Sequence, residues 1–470
     1  KSRGVGRRGL KAGRRAIRAL TDEQFALLLQ RKEAGSDYSS WRHAKNVRRL
    51  LKQLRKDGRP ERVIIRRAMR ENLVLDALYP DRASKWKFSW KRSGEKVIEL
   101  KDFSFLDNPV KTMELLYSIA EAESNCAKIE INFDDQYVMD INPYMVFGLI
   151  HRSMLPVVVG GKIRNGLREV IKSVDLDKFL GVQPLGKIPR GAVHPFKLRT
   201  RRKAGGSSRD NISFSATSEE KTAEYFTETI NKWLGQLDHP LELNQLGRSN
   251  ILTLLGEALD NAKRHSDPVT ADGSWAIAGF MEARYRQDNS ITFVCHLAII
   301  STGATIFESL QKAPAETQAD IDRYASQHRA GFLANANEAE EALWTVIALQ
   351  DGISRIPTSE AGSPGGFGMM MVVEMINALN QSPHPEEKPR LTIVSGSSCV
   401  MVRDDYRVFS RSEGGHRVLV FNAGNRLDQV PDDKYVFALP HRFPGTIMAL
   451  RFYLDPSEIP RSRTKDVANA

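Results

Sequence analysis

The segment at residues 254–266, LLGEALDNAKRHS, constrains the fold of this chain most strongly. Apolar residues recur along it at helical spacing, which predicts a helix with one packed side. Glu257 and Asn261 are four residues apart, so their side chains lie on one helical face, about one turn apart. A carboxylate can align or deprotonate water, and a carboxamide oxygen can ligate a hard cation such as Mg²⁺. The pair suits ATP hydrolysis, although isolated pairs at this spacing are also common on solvated helix faces.

Two later segments carry glycines at positions where phosphates can be held. Residues 361–371, AGSPGGFGMMM, place a Gly-rich loop directly before an apolar run that is typical of a helix. Such a loop lets backbone N–H groups approach phosphates, and the helix N-terminus favours their charge. Residues 444–454, PGTIMALRFYL, give a Gly-Thr pair followed by a strand-like apolar run.

These three segments, in this order, resemble the GHKL ATPase family, which includes gyrase, mismatch-repair ATPases, heat-shock chaperones and histidine kinases. The resemblance covers residues 222–455, about half the chain. It implies that Glu257 activates water and that Asn261 holds Mg²⁺. It assigns the phosphate-binding glycines to Gly365, Gly366 and Gly368, and it places Thr446 near the nucleotide. ATP and Mg²⁺ are therefore the expected ligands.

The adenine-reading motif of that family, DxGxG, is altered here. Residues 301–306 read STGATI, so Gly303 fits the motif, whereas Ser301 stands in place of Asp and Thr305 in place of the second Gly. Ser301 and Gly303 are still the expected contacts of the base. A serine can donate and accept one hydrogen bond but lacks the negative charge of an aspartate acceptor. We therefore expect weakened or altered recognition of the base, or a degenerate site.

The basic charge is concentrated at the start of the chain. Residues 1–92 hold 27 Lys and Arg against 9 Asp and Glu, a balance of +18, whereas the remainder balances at −6. Patterns of apolar residues predict helices at 21–31, 39–56 and 60–78. The asymmetry indicates a basic helical arm for a polyanion, either nucleic acid or an acidic protein, with a solvated helical face as the alternative.

From residue 97 the pattern alternates between strands (97–100, 128–134, 157–160) and helices (109–123, 142–154, 163–171), which predicts a small α/β layer. The order resembles a STAS domain, the fold of bacterial anti-sigma-factor antagonists. There a strand that ends in Asp precedes a serine phosphorylated by a GHKL-type kinase. Here Asp140 is present, but Ile141 and Asn142 occupy the serine positions. The resemblance implies a protein partner without that phosphorylation switch, and an unrelated α/β interaction domain is the alternative.

The expected fold is therefore a multidomain α+β and α/β chain. We expect a basic helical arm at 1–92, a STAS-like domain at 93–183, a Pro-, Gly- and Ser-rich linker at 184–211, and a polar tail at 457–470. Residues 212–456 are expected to form a GHKL-like (Bergerat) α/β sandwich with a mixed antiparallel sheet. An acidic, Ala-rich segment at 309–351 is expected to be helical, at the position of the lid in that family.

Three functions fit these patterns. The first is an ATP-hydrolysing switch for a partner protein or nucleic acid, in a process such as stress response or phage defence. The second is a non-catalytic scaffold with a degenerate nucleotide site, and the third is an anti-sigma-type serine kinase. A histidine kinase is disfavoured because no HExxxP string precedes the ATPase-like part. We interpret His265 as a helix cap or surface residue and not as a phosphoacceptor.

The remaining composition indicates a soluble globular protein, and the family resemblance implies a bacterial one. No apolar run reaches the roughly 18 residues of a membrane span, and no signal peptide is visible. The three cysteines are far apart in sequence and lie in apolar stretches, which favours buried free thiols in a reducing cytoplasm. The family resemblance also implies a homodimer.

Overall fold

The structure is a computed structural model. It describes residues 62–66, 72–84, 89–154, 157–180, 193–201, 218–237, 239–267, 273–331, 336–353, 368–379, 384, 386–406, 410–411 and 415–461. The helices expected at 21–31 and 39–56 lie outside these ranges, as do Gly365 and Gly366.

The first half of the described chain forms a three-stranded parallel sheet with the strand order β3-β4-β5. An antiparallel ribbon precedes it, made of β1 (Arg62–Arg66) and β2 (Ser89–Ser93). The sheet strands are β3 (Glu95–Leu100), β4 (Lys128–Phe133) and β5 (Val158–Gly160). The helices are α1 (Leu73–Leu78), α2 (Asp81–Ser84), α3 (Pro109–Asn125), α4 (Asn142–Met154), α5 (Asn165–Ser173) and α6 (Leu176–Phe179). The predicted alternation of strands and helices is confirmed.

The second half forms a five-stranded antiparallel sheet with the order β6-β7-β8-β12-β9. Its strands are β6 (Val193–Arg201), β7 (Ser274–Tyr285), β8 (Ile291–Thr302), β9 (Arg390–Val402) and β12 (Val436–Leu454). A short ribbon pairs β10 (Ser410–Arg411) with β11 (Arg417–Val418). The helices are α7 (Glu219–Leu234), α8 (Gln245–Ser266), α9 (Ile306–Leu310), α10 (Ala315–His328), α11 (Ala336–Ala348) and α12 (Gly368–Leu379).

Both faces of the five-stranded sheet are buried. Strand β8 shows this directly, because Leu297 and Ile299 belong to the core beneath the helices, whereas Ala298 and Ile300 belong to the core shared with the parallel-sheet half. Successive side chains on a strand point to opposite faces, so a continuous apolar run is what a doubly covered strand requires. The molecule is therefore layered as helices, antiparallel sheet and parallel α/β half.

The structure differs from the sequence predictions at three places. The segment 60–78 is not one helix: residues 62–66, RVIIR, form β1, because a β-branched run favours a strand, and the helix begins only at Leu73. The segment 184–211 is not a linker throughout, since residues 193–201 form the edge strand β6. The regions expected as separate domains at 93–183 and 212–456 pack against each other through one core.

The mixed α/β class is confirmed, with one parallel and one antiparallel sheet. The segment 309–351 is helical as expected, since it contains the end of α9 together with α10 and α11. Within the described ranges, no helix combines the length and the apolar composition that a bilayer crossing requires.

Candidate functional site

Helix α8 carries the Glu257 and Asn261 pair. The helix begins at an Asn244 cap, whose side chain accepts a hydrogen bond from Gly247 N at 2.7 Å. Leu254, Leu255, Ala258 and Leu259 bury its packed side in the core beneath the helices. Glu257 and Asn261 remain half-buried at the edge of this packed side. The predicted helix and its polar face are therefore both present.

The first residue of α12 lies directly against this pair. A Cβ atom built on Gly368 would lie 2.7 Å from Glu257 Oε2 and 2.8 Å from Asn261 Nδ2. Only a residue without a side chain permits this approach. The structure thus brings together three predicted site residues, although Gly368 lies more than a hundred positions after Glu257 and Asn261 in the sequence.

Asn261 has an unused hydrogen-bonding group. Within the described part of the chain, its Nδ2 atom is buried and has no hydrogen-bond partner. Buried amide groups are nearly always paired, so an unpaired one calls for a functional explanation. Oxygen and nitrogen of a carboxamide exchange places by a simple flip, so Asn261 can present either to a ligand.

A cavity of about 100 Å³ lies between α8, α9, α12 and the ends of β8 and β12. Ser301 and Thr446 are opposite each other on β8 and β12, and both line the cavity. They point to the helical side because Ile299 and Met448, two residues away on each strand, belong to the core there.

Gly303 allows α8 to approach the end of β8. Its φ is +135°, and a Cβ atom there would lie 2.2 Å from the carbonyl oxygen of Ser266. The next residue, Ala304, donates its N–H to that same oxygen at 2.9 Å. Close backbone packing beside the cavity therefore explains a glycine at this position, and the expected contact with the base stays a prediction.

Thr305 has a structural role at the start of α9. It caps α9: its hydroxyl accepts from Glu308 N at 3.1 Å, and Glu308 Oε2 accepts from Thr305 N at 2.9 Å. The next N–H, of Ile306, donates to Ser395 Oγ at 2.8 Å. Thr305 thus fixes the start of α9 at the wall of the cavity.

Two polar residues of the cavity were missed by the sequence reasoning. His265 was expected to be a helix cap or surface residue, but it is half-buried, lines the cavity, and places Nδ1 3.3 Å from Ser309 Oγ. The spacing of Glu257, Asn261 and His265, four residues each, would have revealed the histidine. Ser309 lies four residues after Thr305 in the segment that was interpreted only as a lid.

The carboxyl of Glu257 has a raised pKa. Burial is the main cause, the negative charge of Asp260 adds to it, and the positive charge of Arg264 opposes it. Arg264 itself donates from Nε to Asp260 Oδ1 at 2.9 Å. A carboxylate with a raised pKa holds a proton more tightly and is a stronger base.

An ion cluster around Arg417 links α12 to β11. Arg417 donates from Nε to Asp351 Oδ2 at 2.8 Å and from Nη1 to Glu374 Oε2 at 2.5 Å. Asp351 follows α11, and Glu374 lies on α12. The cluster therefore ties α12, and the turn after α11, to β11.

The stretch that resembles a STAS phosphorylation site is internal. Ile141 and Asn142 are 2% and 0% exposed. The Asp140 carboxylate accepts hydrogen bonds from the backbone N–H groups of Phe105 at 2.9 Å and Leu106 at 3.3 Å, and from Asn142. Asp140 thereby braces the loop after β3, and this buried arrangement disfavours a kinase substrate site there.

Comparisons with protein-family models, with curated proteins and with solved structures found no match for this chain.

Proposed function

We propose that this chain binds Mg·ATP at the cavity between α8, α9 and α12, hydrolyses it, and acts as a nucleotide-dependent switch. The observation that carries the proposal is the convergence of Glu257, Asn261 and Gly368. A carboxylate, a carboxamide and a side-chain-free helix N-terminus lie next to one another, since a Cβ atom on Gly368 would contact both side chains. Phosphoryl transfer needs this combination of positioning and charge stabilisation.

Each residue has a separate role in the proposal. Glu257 orients and deprotonates the attacking water, and burial makes its carboxylate a stronger base. Asn261 holds Mg²⁺, which when bound offsets charge on the phosphate oxygens. Backbone N–H groups at the start of α12 face the phosphates, together with the expected contacts Gly365 and Gly366. The GHKL-like arrangement is supported by the antiparallel sheet with α8 and α12 on one face.

The switch is supported by contacts that lead from the cavity to the parallel-sheet half. Glu308 on α9 accepts from Arg442 Nη2 at 2.7 Å. The neighbouring His441 stacks on Tyr117 of α3, with ring centroids 3.8 Å apart. A shift of α9 on nucleotide binding would therefore reach the other half through adjacent residues of β12. The partners expected for the parallel-sheet half and for the basic arm remain predictions.

Calorimetric titration of ATP with and without Mg²⁺ tests the binding proposal. We expect wild type to bind ATP more tightly with Mg²⁺, and Asn261→Ala to lose that difference. Alanine suits a helix interior, so the variant should fold. Asn165→Ala, on the exposed face of α5, is the matched control. Absence of binding in wild type, or an unchanged Mg²⁺ effect in Asn261→Ala, would overturn the proposal.

A further inference from the structure

The hydroxyl and imidazole groups that line the cavity can each either donate or accept a hydrogen bond. We infer that this site accepts purine nucleoside triphosphates with either a 6-amino or a 6-oxo base, so that it binds GTP about as well as ATP. The inference rests on the proposed function, and it concerns the base rather than the phosphates. It follows from the chemical character of the side chains that line the cavity.

The strand side of the cavity presents hydroxyls. Ser301 is 3% exposed on β8, and Thr446 lies opposite it on β12. The Thr446 and Ser395 hydroxyl oxygens are 3.0 Å apart, and either one can be the donor. Ser395 Oγ can instead donate to the carbonyl oxygen of Gly445 at 3.2 Å, in which case Thr446 is the donor to Ser395. A hydroxyl rotates to suit its partner, so these groups can donate to a base or accept from it.

The helical side is equally adaptable. His265 and Ser309 are hydrogen-bonded to each other, and the roles in that bond depend on the tautomer of the ring. Among the lining residues that the structure describes there is no Asp, Glu, Lys or Arg. The described side chains that line the cavity therefore include no ionised group that can only accept or only donate.

Base discrimination requires such a group. The six-position of adenine is an amino donor, whereas that of guanine is a carbonyl acceptor. A carboxylate only accepts, and would pair with the first and repel the second. A site built on a fixed donor or acceptor rejects a mismatched ligand because one buried polar group remains unpaired. Ser301 and Thr446 avoid that penalty by rotating their hydroxyls.

Equilibrium binding of Mg·ATP, Mg·GTP and Mg·ITP to the full chain tests the inference. We expect the wild-type dissociation constants for the three to agree within about tenfold, less than one unpaired buried group would produce. Ser301→Asp should weaken GTP and ITP relative to ATP by about tenfold or more, because the carboxylate faces their six-oxo group. Ser326→Asp, on the exposed face of α10, is the control and should leave the ratios unchanged.

The outcomes separate this inference from the function on which it rests. Wild type that prefers one purine by more than about tenfold, or an unchanged ratio in Ser301→Asp, overturns the inference and leaves the ATPase proposal standing. Failure of all three nucleotides to bind overturns both. The wild-type ratio needs no variant, so the inference stays falsifiable if Ser301→Asp does not fold.

Discussion

The raised pKa of Glu257 follows from the position of its side chain between solvent and core. Burial and the nearby Asp260 carboxylate raise the pKa of Glu257 above its ordinary value of 4.5. A general base works only when it is ionised. ATP turnover should therefore fall as the pH falls through this raised pKa, so the acid limb of the pH–rate profile should lie above pH 4.5.

Replacing Asp260 tests the cause of that shift. Asp260→Asn removes a negative neighbour and releases Arg264, and both changes favour ionised Glu257. We expect the acid limb to move to lower pH, measured as kcat/KM against pH, whereas Glu228→Gln on the exposed face of α7 leaves it in place. A limb that does not move, or moves to higher pH, would contradict the assignment of Glu257 as the base.

At the scale of elements, the contact between α8 and α12 determines the site. Gly368→Ala would insert a methyl group 2.7 Å from Glu257 Oε2 and 2.8 Å from Asn261 Nδ2, so these two side chains or the start of α12 must shift. We expect Mg·ATP affinity or turnover to fall by about tenfold or more, because small displacements of positioned groups are costly.

Gly256→Ala is the matched control for this change. A Cβ atom on Gly256, the residue before Glu257, meets nothing within 4 Å. Alanine in a helix interior is favoured over glycine by about 1 kcal/mol, so this variant should be slightly more stable and fully active. Equal activity in the Gly368 and Gly256 variants, measured by titration and turnover, would remove α12 from the phosphate site.

The elements that could be predicted from the sequence are those with a strong local pattern. The pair on α8 follows from helical spacing alone, and the β-α alternation from residue 97 follows from buried strands between amphipathic helices. Strand β6 escaped prediction because Pro195 and its basic neighbours are typical of a linker, although an edge strand tolerates proline. The cavity roles of His265 and Ser309 depend on a contact between α8 and α9 that no local pattern contains.

At the scale of the whole molecule, one sheet is shared between two halves. Phe443 on β12 is fully buried in the core that also contains residues of α3 and α4. The apolar runs of β8 and β12 indicate that both faces of the sheet are covered, but the pattern does not identify the elements that cover them. For this reason the sequence suggested two separate domains where the structure has a common core.

The shared core predicts cooperative unfolding. Phe443→Ala should lower the free energy of unfolding by about 3–5 kcal/mol, as for other buried phenylalanines. Calorimetry should show one transition that shifts as a whole, whereas Leu246→Ala, at a site 68% exposed, should change stability little. Two separate transitions, with only one affected by Phe443→Ala, would show that the halves unfold independently.

The central claim is that Glu257 activates water at a nucleotide site, and phosphate release from Mg·ATP tests it most directly. The measurement compares wild type with Glu257→Gln, and uses Glu228→Gln as the exposed control. We predict steady turnover by wild type and the control, and a loss of about 10²–10⁴-fold in Glu257→Gln with ATP binding retained. Phosphate release by Glu257→Gln at the wild-type rate, or none from wild type, would contradict the account.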